Sequence, residues 1–195
     1  MEARDDKSLV LAVCGASGQL YARWILKRML EDRRAVHVIA SPASRGICRD
    51  ELGLDGITFG LDDGLLTSHE CDHMDSPLAS GSYPTAGMII CPCTLNTLAA
   101  VAGGISDNLI KRAAQVHLKQ RRPLVLAVRE TPLTVIDLDN MLRLAHAGAI
   151  VAPLSPAFYP KPRDLDQLAA FTAERLIELA MGISPRYQYR GRGGE

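Results

Sequence analysis

The residues with chemistry to offer are a small-residue turn, a set of hydroxyls and a few charges, each placed after an apolar run. The turn is Gly15-Ala16-Ser17-Gly18. It follows the run Leu9 to Val13 and opens an apolar helical period, Tyr21, Ala22, Ile25, Leu26, Met29 and Leu30. Strand, turn and helix in that order bring backbone N–H groups and a helix N-terminus to one point, and both favour a phosphate. The motif is not GxGxxG, so no dinucleotide is implied, and taken alone it reads rather as an ordinary strand-to-helix turn. Ser41 follows a second apolar run, Ala35 to Ala40, Thr94 and Thr97 follow a third, and Arg129-Glu130 follow a fourth, Leu124 to Val128. Each hydroxyl alone can be a helix cap. Gathered at one edge, they make a binding site.

Three further features bear on chemistry. Between Asp75 and Asp107 there is no charged residue; such a stretch can donate hydrogen bonds to an anion without competing carboxylates, or it can simply be buried. Glu130, hemmed by Val128 and Pro132 at a strand end, is a carboxylate placed for proton transfer. Arg175 lies at the edge of a stripe formed by Leu165, Leu168, Thr172, Leu176 and Leu179. A guanidinium there either needs an anionic partner or snorkels at the rim. Lys119-Gln120-Arg121-Arg122 reads as a solvated helix end.

The elements that must position these residues alternate along the chain. Strands are expected at Leu9–Val13, Ala35–Ala40, Gly87–Cys91 (broken by Pro92), Leu124–Val128 and Ala149–Ala152. Helices are expected from Gly18, over Ala43–Glu51 and Thr94–Ala102, from an Asp107 cap to Lys119, and over Leu138–Ala147 and Asp164–Met181, with Leu52–Pro84 irregular. This alternation predicts an α/β fold: a doubly wound parallel sheet in a Rossmann- or flavodoxin-like three-layer sandwich, with ligands outside the carboxyl ends of the strands. One domain is expected over residues 9–183, with residues 1–8 and 184–195 as terminal extensions, the latter holding a basic, glycine-rich stretch.

Composition excludes several function classes. Lys+Arg 22 against Asp+Glu 22 gives no net charge, which argues against nucleic-acid or membrane-surface binding. No apolar run spans a bilayer, and the charged opening MEARDDKS is unlike a signal peptide. The five cysteines lack zinc-type spacing, so reduced thiols in a cytoplasmic protein and no metal site are expected.

Taken jointly, GASG (15–18), ASGS (79–82), PCT-x-x-T (92–97), RAA-x-V-x-LK-x-RR (112–122), VLAVRETPL (125–133), DNML (139–142) and PAFYPKP (156–162) resemble the flavin prenyltransferases, the UbiX family, over nearly the whole chain. The resemblance implies an enzyme that uses reduced FMN as a substrate and attaches a dimethylallyl group from dimethylallyl phosphate. New bonds at N5 and C6 close a fourth ring, without a metal, and the prenylated FMN serves UbiD-type decarboxylases. It implies a homo-oligomer, typically a dodecamer, with the donor site reaching across subunits.

Position by position, the resemblance assigns FMN to Gly15, Ala16, Ser17, Ser41, Thr94, Leu95, Asn96, Thr97 and Arg129, and dimethylallyl phosphate to Ser80, Arg112, Lys119, Tyr159 and Arg175. It places Glu130, Glu51 and Ser17 in the chemistry itself. The chain departs from the family pattern at Cys14, where threonine is common, at Thr94, where serine is frequent, and at His73 and Tyr187, where some members have tryptophan. Two other readings stand beside it. An FMN-dependent cysteine decarboxylase would show a PASANT-like motif where this chain has PCTLNT, and a non-catalytic flavin-binding regulatory subunit would not need the Ser80, Lys119, Tyr159 and Arg175 set.

Overall fold

A computed structural model describes residues 8–187 of the chain. Residues 1–7 and 188–195, most of both expected terminal extensions, lie outside the described residues. Six strands form one sheet: β1 (Leu9–Val13), β2 (Val36–Ala40), β3 (Leu66–Glu70), β4 (Gly87–Cys93), β5 (Leu124–Val128) and β6 (Ile150–Val151). Their order is β3-β2-β1-β4-β5-β6 and every pairing is parallel. The chain winds outward from β1 to β3, then returns to lay β4 on the other flank of β1. The winding direction therefore reverses between β1 and β4, which opens a crevice at their carboxyl ends.

The pleat of β1 explains why both faces are covered. Leu9, Leu11 and Val13 pack with α1 (Gln19–Glu31), α2 (Pro42–Leu52) and α6 (Leu165–Met181). Val10 and Ala12 pack on the other side with α3 (Leu95–Ala102), α4 (Leu109–Lys119) and α5 (Val135–His146). Strands buried on both faces carry unbroken apolar runs, which is why β1 and β5 both read LVLAV. The edge strand β3, LTSHE, is half-exposed and polar, so no apolar run announces it.

Several boundaries differ from the sequence reading. The third apolar run is not broken at Pro92: β4 continues to Cys93, and its pairing with β5 is irregular between Ile90 and Cys93, where the missing proline N–H costs no ladder bond. Asn108, not Asp107, caps α4, its Oδ1 accepting from the Lys111 N–H at 3.0 Å, while Asp107 pairs with the Lys111 ammonium at 2.7 Å. α5 starts at Val135, three residues before the expected Leu138, because Thr134 and Asp137 form a capping box.

The last helix is turned differently from the expected stripe. Ala169, Ala173, Glu174, Leu176, Ile177, Ala180 and Met181 face inward, and Leu165 is exposed. The buried cation of this layer is Arg28 on α1, bonded to Glu174 at 2.5 Å and to Asp32 at 2.9 Å. Arg175 points outward, its side chain 63 % exposed, and pairs with Glu178 one turn on.

Candidate active site

The crevice is built from the residues that end β1, β2, β4 and β5. After β1, Cys14 donates its N–H to the Pro92 carbonyl at 3.2 Å, tying the two strand ends together. The turn that follows is held from beneath by Gln19, fully buried, whose side-chain amide donates to the carbonyls of Cys14 (3.1 Å) and Ala16 (2.8 Å). Gly18 adopts φ 104°, a left-handed conformation that glycine takes without strain. A side chain on Gly15 would lie 2.6 Å from the Ala43 Cβ, so glycine lets α2 approach the turn.

Glu51 changes the reading of this turn. Its carboxylate accepts from the N–H of Gly18 (3.0 Å to each oxygen) and of Gln19 (2.8 Å). The N-terminus of α1 thus already has its anion, a side chain sent from the last turn of α2. A phosphate at this turn is left with the loop ahead of Gly18, where the exposed Ser17 side chain makes no hydrogen bond among the described residues.

At the end of β2, Ser41 donates its N–H to the Val13 carbonyl at 2.9 Å, which holds the β2 end against the turn. It precedes α2 in the N-cap position, yet its hydroxyl makes no capping bond. That Oγ is buried and has no partner among the described residues. Thr94, after β4, behaves as an ordinary cap, accepting from the Thr97 N–H at 3.2 Å and donating to the Thr97 hydroxyl at 3.0 Å. The Cys14 thiol meets the same hydroxyl at 3.3 Å. Burial pushes the Cys14, Cys91 and Cys93 thiols up, so beneath these strand ends they stay neutral.

Arg129 and Glu130 follow β5. The Arg129 Nε is buried and unpartnered among the described residues. Glu130 is exposed and accepts from the Thr131 N–H at 3.0 Å; no ion pair between Arg129 and Glu130 is present among the described residues, so both charges are available to a ligand. Gly15, Ala16, Ser17, Ser41, Thr94, Leu95, Asn96, Thr97 and Arg129 therefore share one edge, with Glu51 beneath the turn and Glu130 beside it. An orphaned hydroxyl and an orphaned guanidinium nitrogen at the carboxyl ends of β2 and β5 fit an anionic ligand.

The proposed donor set is not gathered there. Ser80, Arg112 and Lys119 lie along the flank of α4. Arg112 Nε donates to the Ala79 carbonyl at 2.9 Å, and a side chain on Gly81 would come within 3.3 Å of the Lys119 Cε. Lys119 ends the helix that delivers the chain to the amino end of β5, where the Pro123 carbonyl accepts from the Met88 N–H; Arg129 stands at the other end of that strand. Tyr159 is on the loop after β6, exposed, edge-to-face with Phe171 at 5.4 Å between centroids. Arg175 faces out from α6. One copy of the chain holds Ser80, Arg112 and Lys119 on the α4 flank and Tyr159 and Arg175 on other surfaces.

Sequence reasoning missed two contributors. Gln19 has the look of a polar first-turn residue, and only its burial under the turn reveals its task. Arg122 was read as part of a solvated helix end, yet its guanidinium is bonded to the segment that carries Ser80.

The comparisons bear on what this crevice is for. The family model described as Flavoprotein matches residues 2–176. The flavin prenyltransferase UbiX of Alkalihalophilus pseudofirmus is 37 % identical over 191 residues, covering 94 % of this chain and 95 % of that protein. The chain belongs to the flavin prenyltransferase family. Within the family, a crystal structure of AnUbiX (PadA1) in complex with FMN and dimethylallyl pyrophosphate superposes with a TM-score of 0.89 at 34 % identity, covering 97 % of this chain and 99 % of that one. A dodecameric FMN-dependent Ubix-like decarboxylase from Escherichia coli O157:H7 superposes with a TM-score of 0.87 at 32 % identity, covering 95 % of this chain and all of that one.

Proposed function

We propose that this chain is a flavin prenyltransferase that binds reduced FMN at the carboxyl edge of the sheet and transfers to it a dimethylallyl group from dimethylallyl phosphate. The observation that carries the reading is the switch point between β1 and β4, with the unpartnered, buried Ser41 Oγ and Arg129 Nε at the carboxyl ends of the strands that flank it. The loop Gly15–Ser17, Ser41, Thr94–Thr97 and Arg129 hold the flavin. When bound, reduced FMN supplies the two nucleophilic positions, N5 and C6.

The chain's own residues supply the rest. The C–O bond of the allylic phosphate breaks, and cations must hold the phosphate that leaves. Lys119, Arg112 and Arg175 are those cations, with Ser80 and Tyr159 as hydroxyl partners. Because one copy keeps the α4 flank, Tyr159 and Arg175 apart from one another, copies of the chain bring them to a neighbour's flavin edge; a dodecameric relative supports that assembly. Glu130, free of Arg129 and next to the crevice, hands the departing phosphate the proton freed as the N5 bond forms, and passes the proton freed at C6 to the prenyl double bond that the second bond consumes. Glu51, one turn from the flavin loop, orders that loop through Gly18 and Gln19. The product serves a UbiD-type decarboxylase.

The test is anaerobic incubation of the protein with reduced FMN and dimethylallyl phosphate, followed by mass spectrometry of the extracted flavin. A mass gain of one dimethylallyl-derived unit is expected. Unchanged flavin, with carbon dioxide released instead from a peptide ending in cysteine, would replace this reading with the cysteine decarboxylase one.

A further inference from the structure

The segment Ser80–Pro84 belongs to no helix or strand, so its shape depends on what clamps it. Three side chains do. Arg112 Nε bonds the Ala79 carbonyl at 2.9 Å, and the Tyr83 hydroxyl meets His37 Nε2 at 3.0 Å. The third clamp is Arg122, just past α4. Its Nη2 donates to the Gly81 carbonyl at 2.8 Å, and its Nη1 donates to the Tyr83 carbonyl at 2.7 Å and to the Thr85 hydroxyl at 3.2 Å. One guanidinium thus gathers three acceptors from the five residues that follow Ser80.

The direction of every bond behind this fork is determined. Arginine only donates, so the Thr85 hydroxyl accepts from Arg122; the Ala113 carbonyl only accepts, so neutral His117 holds its proton on Nδ1 and its Nε2 accepts from the Thr85 hydroxyl at 3.0 Å. The Nδ1–H donates to the Ala113 carbonyl at 2.8 Å. His117 is buried in α4, and burial, with the Arg122 charge also opposing protonation, lowers its pKa to about 4 and keeps it neutral. The fork is therefore anchored in the helix that carries Arg112 and Lys119. Gly81 completes the fit: a Cβ there would lie 2.5 Å from the Gln120 side-chain nitrogen.

We infer that Arg122 is a positioning residue of the prenyl-phosphate subsite, holding the Ser80–Ser82 turn against α4 so that Ser80, Arg112 and Lys119 present a single phosphate cradle. The inference rests on the reading of Ser80 as a donor contact. A lysine at this position keeps the charge and loses the fork, since an ammonium cannot span the Gly81 and Tyr83 carbonyls with paired, fixed donors.

The experiment compares wild type with Arg122→Lys, Arg122→Ala, Ser80→Ala and the Ser80→Ala/Arg122→Lys double variant. Steady-state kinetics would be run in dimethylallyl phosphate, with FMN affinity and thermal midpoint recorded for each. The expected result is a rise of roughly tenfold or more in KM for the donor in both Arg122 variants, the scale of a lost charge-assisted hydrogen bond. FMN affinity and kcat should hold near wild type. Ser80→Ala should raise KM as well, and the double variant should be no worse than the more impaired single one, because both act through one turn. A raised KM in Ser80→Ala with wild-type KM in Arg122→Lys and Arg122→Ala overturns the inference and leaves the donor reading intact. Wild-type KM in Ser80→Ala overturns the donor reading and the inference with it. Should Arg122→Ala fail to fold, Arg122→Lys decides; a parallel loss of KM, kcat, FMN affinity and thermal midpoint there makes Arg122 a general structural residue.

Discussion

The carboxyl edge of the sheet and the flank of α4 are built on opposite plans. At the edge, short loops leave the ends of four strands, and backbone bonds such as Cys14 to Pro92 and Ser41 to Val13 lock them to each other. The polar atoms left over are few and buried, notably Ser41 Oγ and Arg129 Nε. Along α4, by contrast, an irregular segment is pinned to a helix by side chains, and Lys119 stands in solvent. The edge is assembled within one copy. The flank is assembled only in part, with Tyr159 and Arg175 on other surfaces. A fold can preorganise whatever its strand ends carry, whereas one copy leaves the cations of α4 and α6 apart.

That contrast can be broken most sharply at Glu130. Glu130→Gln keeps size and hydrogen bonding but cannot move a proton, so single-turnover prenylation should slow by about 10²–10⁴-fold with FMN and donor binding unchanged. A wild-type rate would move the proton to another group, with Glu51 next. The donor side is tested by Arg175→Ala. Once a second copy desolvates this guanidinium, its loss should cost about 2–5 kcal/mol of donor affinity while FMN stays bound. Loss of FMN together with donor would show that the two regions are not separable.

Ser41→Ala probes the assembled edge. Removing one hydrogen bond to a charged group should weaken FMN by about 1.5–3 kcal/mol, read by quenching of flavin fluorescence, with the donor KM untouched. An unchanged affinity would place the flavin phosphate away from the β2 end. The smallest effect concerns pH. His37, lowered to about 4 by burial and by His69, and His117, lowered to about 4 foremost by burial, sit on the segment-pinning side. Their ordinary value is 6.5, so the unfolded chain takes up these protons first. Their contribution to stability is therefore complete above about pH 6.5 and declines as pH falls toward 4. Urea midpoints at pH 7 and pH 5 should show the drop, and Thr85→Val, which removes the His117 partner, should alter its slope; flat midpoints across this window would mean that both histidines protonate freely in the fold.

Much of the architecture was legible without coordinates. Buried parallel strands announce themselves as apolar runs, and LVLAV at β1 and β5 did so. β3 did not, because an edge strand with exposed polar residues carries no such run. Helix starts shifted where a cap competed: Asn108 and the Thr134–Asp137 box displaced Asp107 and Leu138, and a choice between neighbouring polar residues depends on geometry that one-dimensional spacing does not contain. The stripe of α6 is not legible from its leucines, because Ala169, Ala173 and Ala180, which carry little hydropathy signal, make up much of its core face.

What the sequence determined by itself was the strand–turn–helix order that puts Gly15–Ser17, Ser41, Thr94–Thr97 and Arg129 at one edge, since parallel strands joined by helices send all their carboxyl ends the same way. Tertiary structure alone decided how that edge and the α4 flank are wired. Glu51, from a different helix, takes the amides of Gly18 and Gln19. Buried Gln19 braces the turn, and Arg122 reaches back to the Ser80 segment. The Glu51 and Arg122 contacts join residues 32 and 41 positions apart, which no local period records, and the Gln19 brace, though local, depends on its burial. They are settled by which polar groups remain unsatisfied when the layers close, a quantity that exists only in three dimensions.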